Sequence, residues 1–558
     1  MAKGDINRLF TIEGEMIGSS DATLLAHPNP QLKRDSYLSL NGMWDYKITK
    51  NPQVGYLDYD GKIRVPYPIE SALSGVERKL EQDEYIVYHK VINLKGFKLK
   101  DKLLLNFLMI DQEATIFVNK KVVGNFCNPY LPIIVDIAPY IDKNSDNDLV
   151  VIVKDNLDIS LSYGKQSKKP GGIFYTPCSG IMHGVYLEVV SNDYIESFKI
   201  DTSNDGCVTI DAKTSAKVIK YEVLFNGKVI ERGKSKDTKF SFVIKDPKLW
   251  DDNNPNLYDL VLETSDMLYS YFAFREVSII NNKICINGKQ TMLKAVLDQG
   301  YYPDGIYVVA DYDCYQKDIL AMKELGFNAL RKHIKVESPY FYYLCDKLGM
   351  YVMQDCINNG KISFVRDTLL PTLRLLKRSD KNLHKDPKAR ANFLSAMEKE
   401  VYYLYNHPSI VYYTIFNEGW GQFEADKAYD AFKKIDSTRI VDSTSGWFWQ
   451  NKSDVDSYHI YLRRLEVKEA KRPIVISEFG AYVYSVDNHV YRSGNHTAYH
   501  AYKSIEEYKK AYEYLFTEQV KPLEDIISGY VYTQLSDVEE EANGLLTYDR
   551  KVNKIKDL

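Results

Sequence analysis

Two glutamates in this 558-residue chain sit where catalytic groups are expected. Glu418 lies in the run VYYTIFNEGWG, and Glu478 in PIVISEFGAY. Each carboxylate emerges from several apolar residues and is flanked by glycine. Bulk water solvates such a group poorly, so its pKa is open to perturbation. Strand ends often carry polar residues, so one such glutamate would mean little, but two on one scaffold mean more. Paired carboxylates are what cleavage of a glycosidic bond requires. One is protonated and donates to the leaving oxygen; the other is ionised and attacks or activates water. Rival chemistries lack parts. Lys294 and Lys332 are candidates for a Schiff base but have no surrounding constellation. His333 and His459 stand alone instead of in a His-x-His cluster, and a lone histidine is more often a hydrogen-bonded structural residue.

The elements that must position these glutamates change in kind along the chain. Residues 30–190 carry short strand-like runs such as EYIVYHKVINL, LLLNFLMI and DLVVIVKD, broken by turns as in an all-β sandwich. A second set of strands occupies about 90 residues, the size of an immunoglobulin-like sandwich. After Asn287-Gly288, strands alternate with helices. One helix has Ser338 as its expected N-cap, Pro339 at the first position and Gly349 at the C-terminal cap. Eight strands in about 270 residues fit one (β/α)8 TIM barrel, and no phosphate-binding glycine fingerprint supports an open doubly wound sheet. The expected division is an all-β sandwich at 1–190, an immunoglobulin-like domain at 191–280 and a barrel at 281–558. Loop-like stretches near 360–390 and 482–500 follow the third and seventh strands, which places them on the active face. Roughly 25 residues follow the eighth strand, room for one closing helix, so the barrel is expected to be the last domain.

Composition narrows the class. Lys plus Arg total 72 against 76 Asp plus Glu, a net charge of −4, which gives no footprint for nucleic acid. No apolar run is long enough for a membrane span, and the N-terminus has no signal-peptide core. Seven cysteines without a CxxC pair read as reduced thiols. A cytoplasmic protein is expected; a homo-oligomer is compatible with the sequence.

The chain resembles glycoside hydrolase family two, which contains β-galactosidases, β-glucuronidases and β-mannosidases. The resemblance runs through LNGMWDY, VNKKVVG and SGIMHGVYLEVV, then LWDDNNPNLYDLVL and FREVSI, and in the barrel INGKQTMLKAV, NHPSIVYYTIFNEGWG, VISEFGAY and GYVYTQLSD. It implies a jelly-roll sugar-binding domain at 1–190, an immunoglobulin-like domain at 191–280 and a catalytic TIM barrel at 281–558, with Glu418 the acid/base and Glu478 the nucleophile of a retaining β-glycosidase. It further implies that Asn417 bonds the sugar 2-hydroxyl, Tyr461 bonds the nucleophile and Arg331 lies near it. His459, Asp298 and Gln299 are expected substrate contacts. Trp420 is the expected sugar-stacking ring, with Trp447 and Trp449 on the same face. The chemistry requires no cofactor and no metal; some large β-galactosidases use magnesium near the acid, but no clear ligand set is legible here.

The sequence also departs from the family. RKHIK places His333 one residue early, LDQGYYPDG replaces a histidine-containing segment, and Thr533 stands where many members have tryptophan. Members that cleave glucuronides carry Asn-x-Lys just before the run that here reads GLLTYDR at 544–550; this chain has Glu541 and Asn543 at those positions. Loss of a charge-assisted bond there predicts a neutral sugar, with a β-galactoside first, unless another basic residue such as Lys332 or Lys335 binds a uronate. The alternatives are a β-glucuronidase or other β-glycosidase, a transglycosylase, and a non-catalytic carbohydrate-binding protein.

Overall fold

The computed structural model describes residues 5–127, 129–370, 379–492 and 500–558. Its centre is an eight-stranded parallel sheet: β1 (Leu293–Asp298), β2 (Ala329–Lys332), β3 (Tyr351–Asp355), β4 (Ile410–Asn417), β5 (Ile440–Ser445), β6 (Asp456–Ile460), β7 (Ile474–Gly480) and β8 (Ile527–Thr533). The hydrogen-bonded order is β5-β4-β3-β2-β1-β8-β7-β6. The seam between β5 and β6 is bridged by side chains: Ser445 Oγ lies 3.0 Å from His459 Nε2, and Ser457 Oγ donates to the Thr444 carbonyl at 3.3 Å. These strands are almost wholly buried, as expected of a parallel sheet covered on both faces. The structure is thus the TIM barrel the alternating pattern predicts.

Helices follow four of the first five strands by the expected local rules. The helix Pro339–Leu348 starts with proline and ends at Gly349 with φ of +70°, a left-handed cap. Ser338 occupies the N-cap position as expected, although its hydroxyl makes no capping bond. The helix Pro387–Leu404 is capped by Asp386, whose side chain accepts from the Lys388 amide. After β8 the chain runs through turns and isolated bridges rather than a closing helix, held by the buried Lys554–Asp537 pair at 2.7 Å. The stretches expected to form active-face loops, 360–390 and 482–500, fall partly outside the described residues, at 371–378 and 493–499.

Two antiparallel sandwiches precede the barrel. The first pairs a four-stranded and a six-stranded sheet around Trp44, Tyr88, Phe107, Val151 and Leu187. The second pairs a three-stranded and a four-stranded sheet around Phe198, Ile210, Val223, Leu260 and Phe272. All seven cysteines are free, so apolar burial alone staples both. A three-stranded sheet spanning Val277–Ile280, Lys283–Ile286 and Lys289–Gln290 then closes the N-terminal end of the barrel, with Ile284 and Ile286 packed against Leu293, Val411, Val475 and Val531. Among the described residues, no helix is long and apolar enough to cross a membrane.

The first sandwich reaches the opposite, C-terminal end of the barrel. Between its strands Asn147–Lys154 and Gly180–Val190 the chain leaves the sheet and lies across the barrel rim. Tyr163 donates from its amide to the Asn358 carbonyl at 3.2 Å and from its hydroxyl to the Gly360 carbonyl at 2.8 Å. On the other side the acidic run at 539–541 receives the loop: Glu539 accepts from the Thr176 amide at 2.8 Å, Glu540 from the Gly172 amide at 3.2 Å, and Glu541 from the Tyr175 hydroxyl.

Candidate active site

The C-terminal ends of the barrel strands bring most of the expected residues together. β4 ends at Asn417, and Glu418 then turns with φ of +52°, a conformation that side-chain-bearing residues rarely adopt. The Glu418 amide donates to the Ser445 carbonyl at 2.9 Å, extending the β4–β5 ladder one residue and holding the turn. Gly419 continues it with φ of +74°, and a Cβ there would come within 2.3 Å of the Phe448 ring. Strain of this kind costs about 1–3 kcal/mol and persists where surrounding contacts over-determine it.

Glu478 faces Glu418 from β7. One oxygen of each, together with His459 Nδ1, lie within 4.8 Å of one another. His459, on β6, sits 2.8 Å from Glu418 Oε1 and 3.5 Å from Glu478 Oε2. The Tyr461 hydroxyl donates to Glu478 Oε2 at 2.6 Å and lies 3.0 Å from Thr533 Oγ1. Arg331, wholly buried at the end of β2, organises the floor. Its Nη1 donates to Glu478 Oε1 at 3.1 Å and to the Ser477 carbonyl at 3.0 Å, and its Nη2 donates to Asn417 Oδ1 at 2.8 Å. Its Nε donates to both oxygens of Asp355, at 2.9 and 3.1 Å, and His333 Nδ1 lies 2.7 Å from the same carboxylate.

This network gives the two glutamates opposite acidities. Burial raises the pKa of Glu418; the nearby His459 works against that shift, and the like charge of Glu478 reinforces it. Burial also acts on Glu478, but His459, the Arg331 guanidinium, His333 and the Tyr461 hydroxyl outweigh it and hold that carboxyl below its ordinary range. The two carboxyls are thus shifted in opposite directions, the division that an acid and a nucleophile need.

Other expected contacts are placed differently. Asp298 is buried in an ion pair with Lys332 at 2.6 Å and accepts from the Gly300 amide at 2.8 Å. Gln299 donates to Gln534 Oε1 at 3.0 Å, and its own Oε1 is buried without a partner among the described residues. Trp420 does not offer a stacking face: it is 1% exposed, Phe174 packs on it at 5.6 Å, and the Lys165 ammonium lies 5.0 Å from its ring centre. Trp449 is exposed and packs edge-on to Tyr458. The half-buried Trp447 is better placed, edge-on to His459 at 5.4 Å with its indole N–H donating to the Glu418 carbonyl at 3.0 Å. His459 is not the solitary structural histidine its sequence context suggests but the bridge between both carboxylates.

Glu418, His459 and Glu478 are also the described group best placed to hold a metal ion. One imidazole and two carboxylates suit a zinc-like ion better than magnesium, which prefers near-octahedral oxygen ligands.

The sequence reading missed three contributors. Asp355 ends an apolar strand as Glu418 does, and the same rule would have found it. Thr533 was legible only as a missing tryptophan. Lys165, from the first sandwich, carries no local signal.

The family model for the glycosyl hydrolases family 2 TIM barrel domain matches residues 277–554, and the glycosyl hydrolases family 2 model matches residues 188–275. A β-galactosidase of Staphylococcus xylosus is 26% identical over 449 residues, covering 77% of this chain and 42% of that protein. A β-galactosidase of Pseudoalteromonas haloplanktis is 30% identical over 244 residues, covering 42% of this chain and 22% of that protein. The chain thus spans less than half the length of these curated relatives. Among solved structures, the β-D-glucuronidase of Dictyoglomus thermophilum shares the fold with a TM-score of 0.73 at 16% identity, covering 95% of this chain and 97% of that one. The β-galacturonidase of Eisenbergiella tayi shares it with a TM-score of 0.68 at 20% identity, covering 94% and 95%. With both family models matched in sequence order over residues 188–275 and 277–554, the chain belongs to glycosyl hydrolases family 2.

Proposed function

We propose that the protein is a retaining β-glycosidase in which Glu418 is the acid/base and Glu478 the nucleophile. The observation that carries this reading is the approach of the two carboxyls: oxygens within 4.8 Å leave no room for the water that an inverting enzyme holds at a carboxyl separation of about 6.5–9.5 Å. In the first step Glu418 protonates the glycosidic oxygen as the ionised Glu478 attacks the anomeric carbon, and the leaving alcohol departs. In the second, Glu418, now ionised, takes a proton from water, which displaces Glu478 with a second inversion. Arg331 holds both Glu478 and Asn417, so the nucleophile and the residue expected at the sugar 2-hydroxyl are oriented by one guanidinium. Tyr461 keeps Glu478 ionised and aimed.

For the glycone, a neutral β-galactoside is the first reading. The curated relatives above are named β-galactosidases, and the positions that would grip a uronate carry no cation: Glu541 is itself a carboxyl and accepts from Tyr175, and Asn543 accepts from Gln534 through Oδ1 at 2.8 Å while its Nδ2 has no partner among the described residues. Lys332 and Lys335 are also committed, both to Glu337. A uronide is the second reading, favoured by the Lys165 ammonium beside the same wall. The free thiols support a reducing, cytoplasmic setting. The test is proton NMR of the first sugar released from a 4-nitrophenyl β-galactoside. A β-anomer appearing first supports the mechanism, and an α-anomer overturns it.

A further inference from the structure

Four lysines are buried among the described residues: Lys165, Lys332, Lys335 and Lys554. A buried charge is expected to be paired. Three obey. Lys332 pairs with Asp298 and Glu337, Lys335 with Glu337, and Lys554 with Asp537. Lys165 does not. Its ammonium makes no hydrogen bond or ion pair with any described residue; it lies 5.0 Å from the ring centre of Trp420 and 5.9 Å from that of Tyr175. Trp420 follows Glu418 by two residues, so the ammonium lies beside the loop that carries the acid, and its charge acts on Glu418, Glu541 and His333.

The local structure is built to deliver it. Gly164 takes φ of +63°, and a Cβ there would meet the Ile334 carbonyl oxygen at 3.0 Å, so the loop passes directly against the barrel. The Lys165 carbonyl accepts from the Tyr175 amide at 2.9 Å, and the next side chain, Gln166, is fixed by donating to Asp111 at 2.7 Å and to the Tyr130 hydroxyl at 2.8 Å. A backbone held this firmly, carrying a desolvated cation with no internal counter-ion in contact, is arranged for an anion that arrives from outside.

We propose that Lys165 is a specificity-determining residue that binds a carboxylate carried by the substrate, so that the first sandwich contributes directly to the barrel's site. The proposal rests on the glycosidase reading. The carboxylate has two sources, C6 of the sugar or the leaving group, and the substrates distinguish them: 4-nitrophenyl β-galactoside, 4-nitrophenyl β-galacturonide, and 4-carboxyphenyl β-galactoside with its phenyl counterpart. The measured quantity is the ratio of kcat/KM for a charged substrate to that of its neutral match, in the full chain, in Lys165→Met and in Lys165→Arg. A charge-assisted bond predicts that one of the two ratios falls roughly 10- to 100-fold in Lys165→Met and is largely kept in Lys165→Arg. Equal losses on charged and neutral substrates would mean that Lys165 only balances Glu541 and Glu418, and the proposal falls. A native chain that cleaves only the neutral substrates also overturns it. If no glycoside is cleaved, the glycosidase reading fails instead. Calorimetric binding of galacturonate and of 4-carboxyphenyl β-galactoside then still decides Lys165: binding of either one that is lost in the Met variant supports the proposal, and binding of neither by the native chain refutes it.

Discussion

Replacing Tyr461 with phenylalanine removes one hydroxyl and keeps the ring. That hydroxyl donates to Glu478 Oε2 at 2.6 Å, and its other bond, to Thr533 at 3.0 Å, is one a threonine can make with water instead. A hydrogen bond to a charged group contributes about 1.5–3 kcal/mol, and a pKa unit corresponds to roughly 1.4 kcal/mol, so losing the bond should raise the Glu478 pKa by about 1–2 units. The Arg331 bond at 3.1 Å remains, so Glu478 should still be ionised at neutral pH. The loss of activity should therefore depend on pH. With an activated aryl glycoside, the acid limb of kcat/KM should move up by about 1–2 units, so that the deficit grows as pH falls through the limb, toward about 10- to 100-fold below it, and is small near pH 8. An acid limb that stays in place while kcat/KM falls equally at all pH values would show that Tyr461 does not act through the ionisation of Glu478.

Replacing Glu418 with alanine should cost little on a dinitrophenyl glycoside, whose leaving group needs no proton, and at least about 10²-fold more on an alkyl glycoside; equal losses would remove Glu418 from the acid role. In the native enzyme the alkaline limb should lie above the ordinary carboxylate range, because burial and Glu478 raise the Glu418 pKa, and it should disappear in the alanine variant. Glu400, buried beneath Gln354, has its pKa pushed up to about 8 by burial. Its folded-state pKa exceeds the unfolded one, so its contribution to stability is complete below about pH 4.5 and is lost as pH rises toward 8, at up to about 1.4 kcal/mol per unit. Glu400→Gln should remove this component, seen as a smaller drop in melting temperature between pH 5 and 8 than in the native chain. An identical drop would show that Glu400 is not protonated in the fold.

Much of the site was legible because its parts are local. Glu418 and Glu478 end apolar runs, and the period of those runs already names a barrel whose strand ends face the site. The resemblance located Arg331, Asn417 and Tyr461, which the structure gathers around Glu478. What sequence could not show were partnerships between distant segments. Lys165 belongs to a sandwich loop, and its meaning comes from Trp420, some 250 residues away, and from the absence of a counter-ion in contact among the described residues. His459 looked solitary because its partners are on β4, β5 and β7. Trp420 was adjacent to the acid in sequence and therefore plausible as a stacking ring, but the same loop that brings Lys165 covers it with Phe174. The acidic run at 539–541 read as a loss of sugar-binding charge; in space it is also the clasp that receives the sandwich loop.

The proposed covalent bond between Glu478 and the sugar, formed while Glu418 handles the proton, can be trapped. A 2-deoxy-2-fluoro-β-galactosyl fluoride, or the corresponding uronide if that substrate is preferred, slows both steps but keeps a leaving group that needs little acid help. Incubation followed by peptide mass spectrometry should show one adduct, on the VISEFGAY peptide at Glu478, with loss of activity in step with labelling. A single adduct on any other residue, or turnover of an ordinary glycoside with no adduct ever trapped, would contradict it.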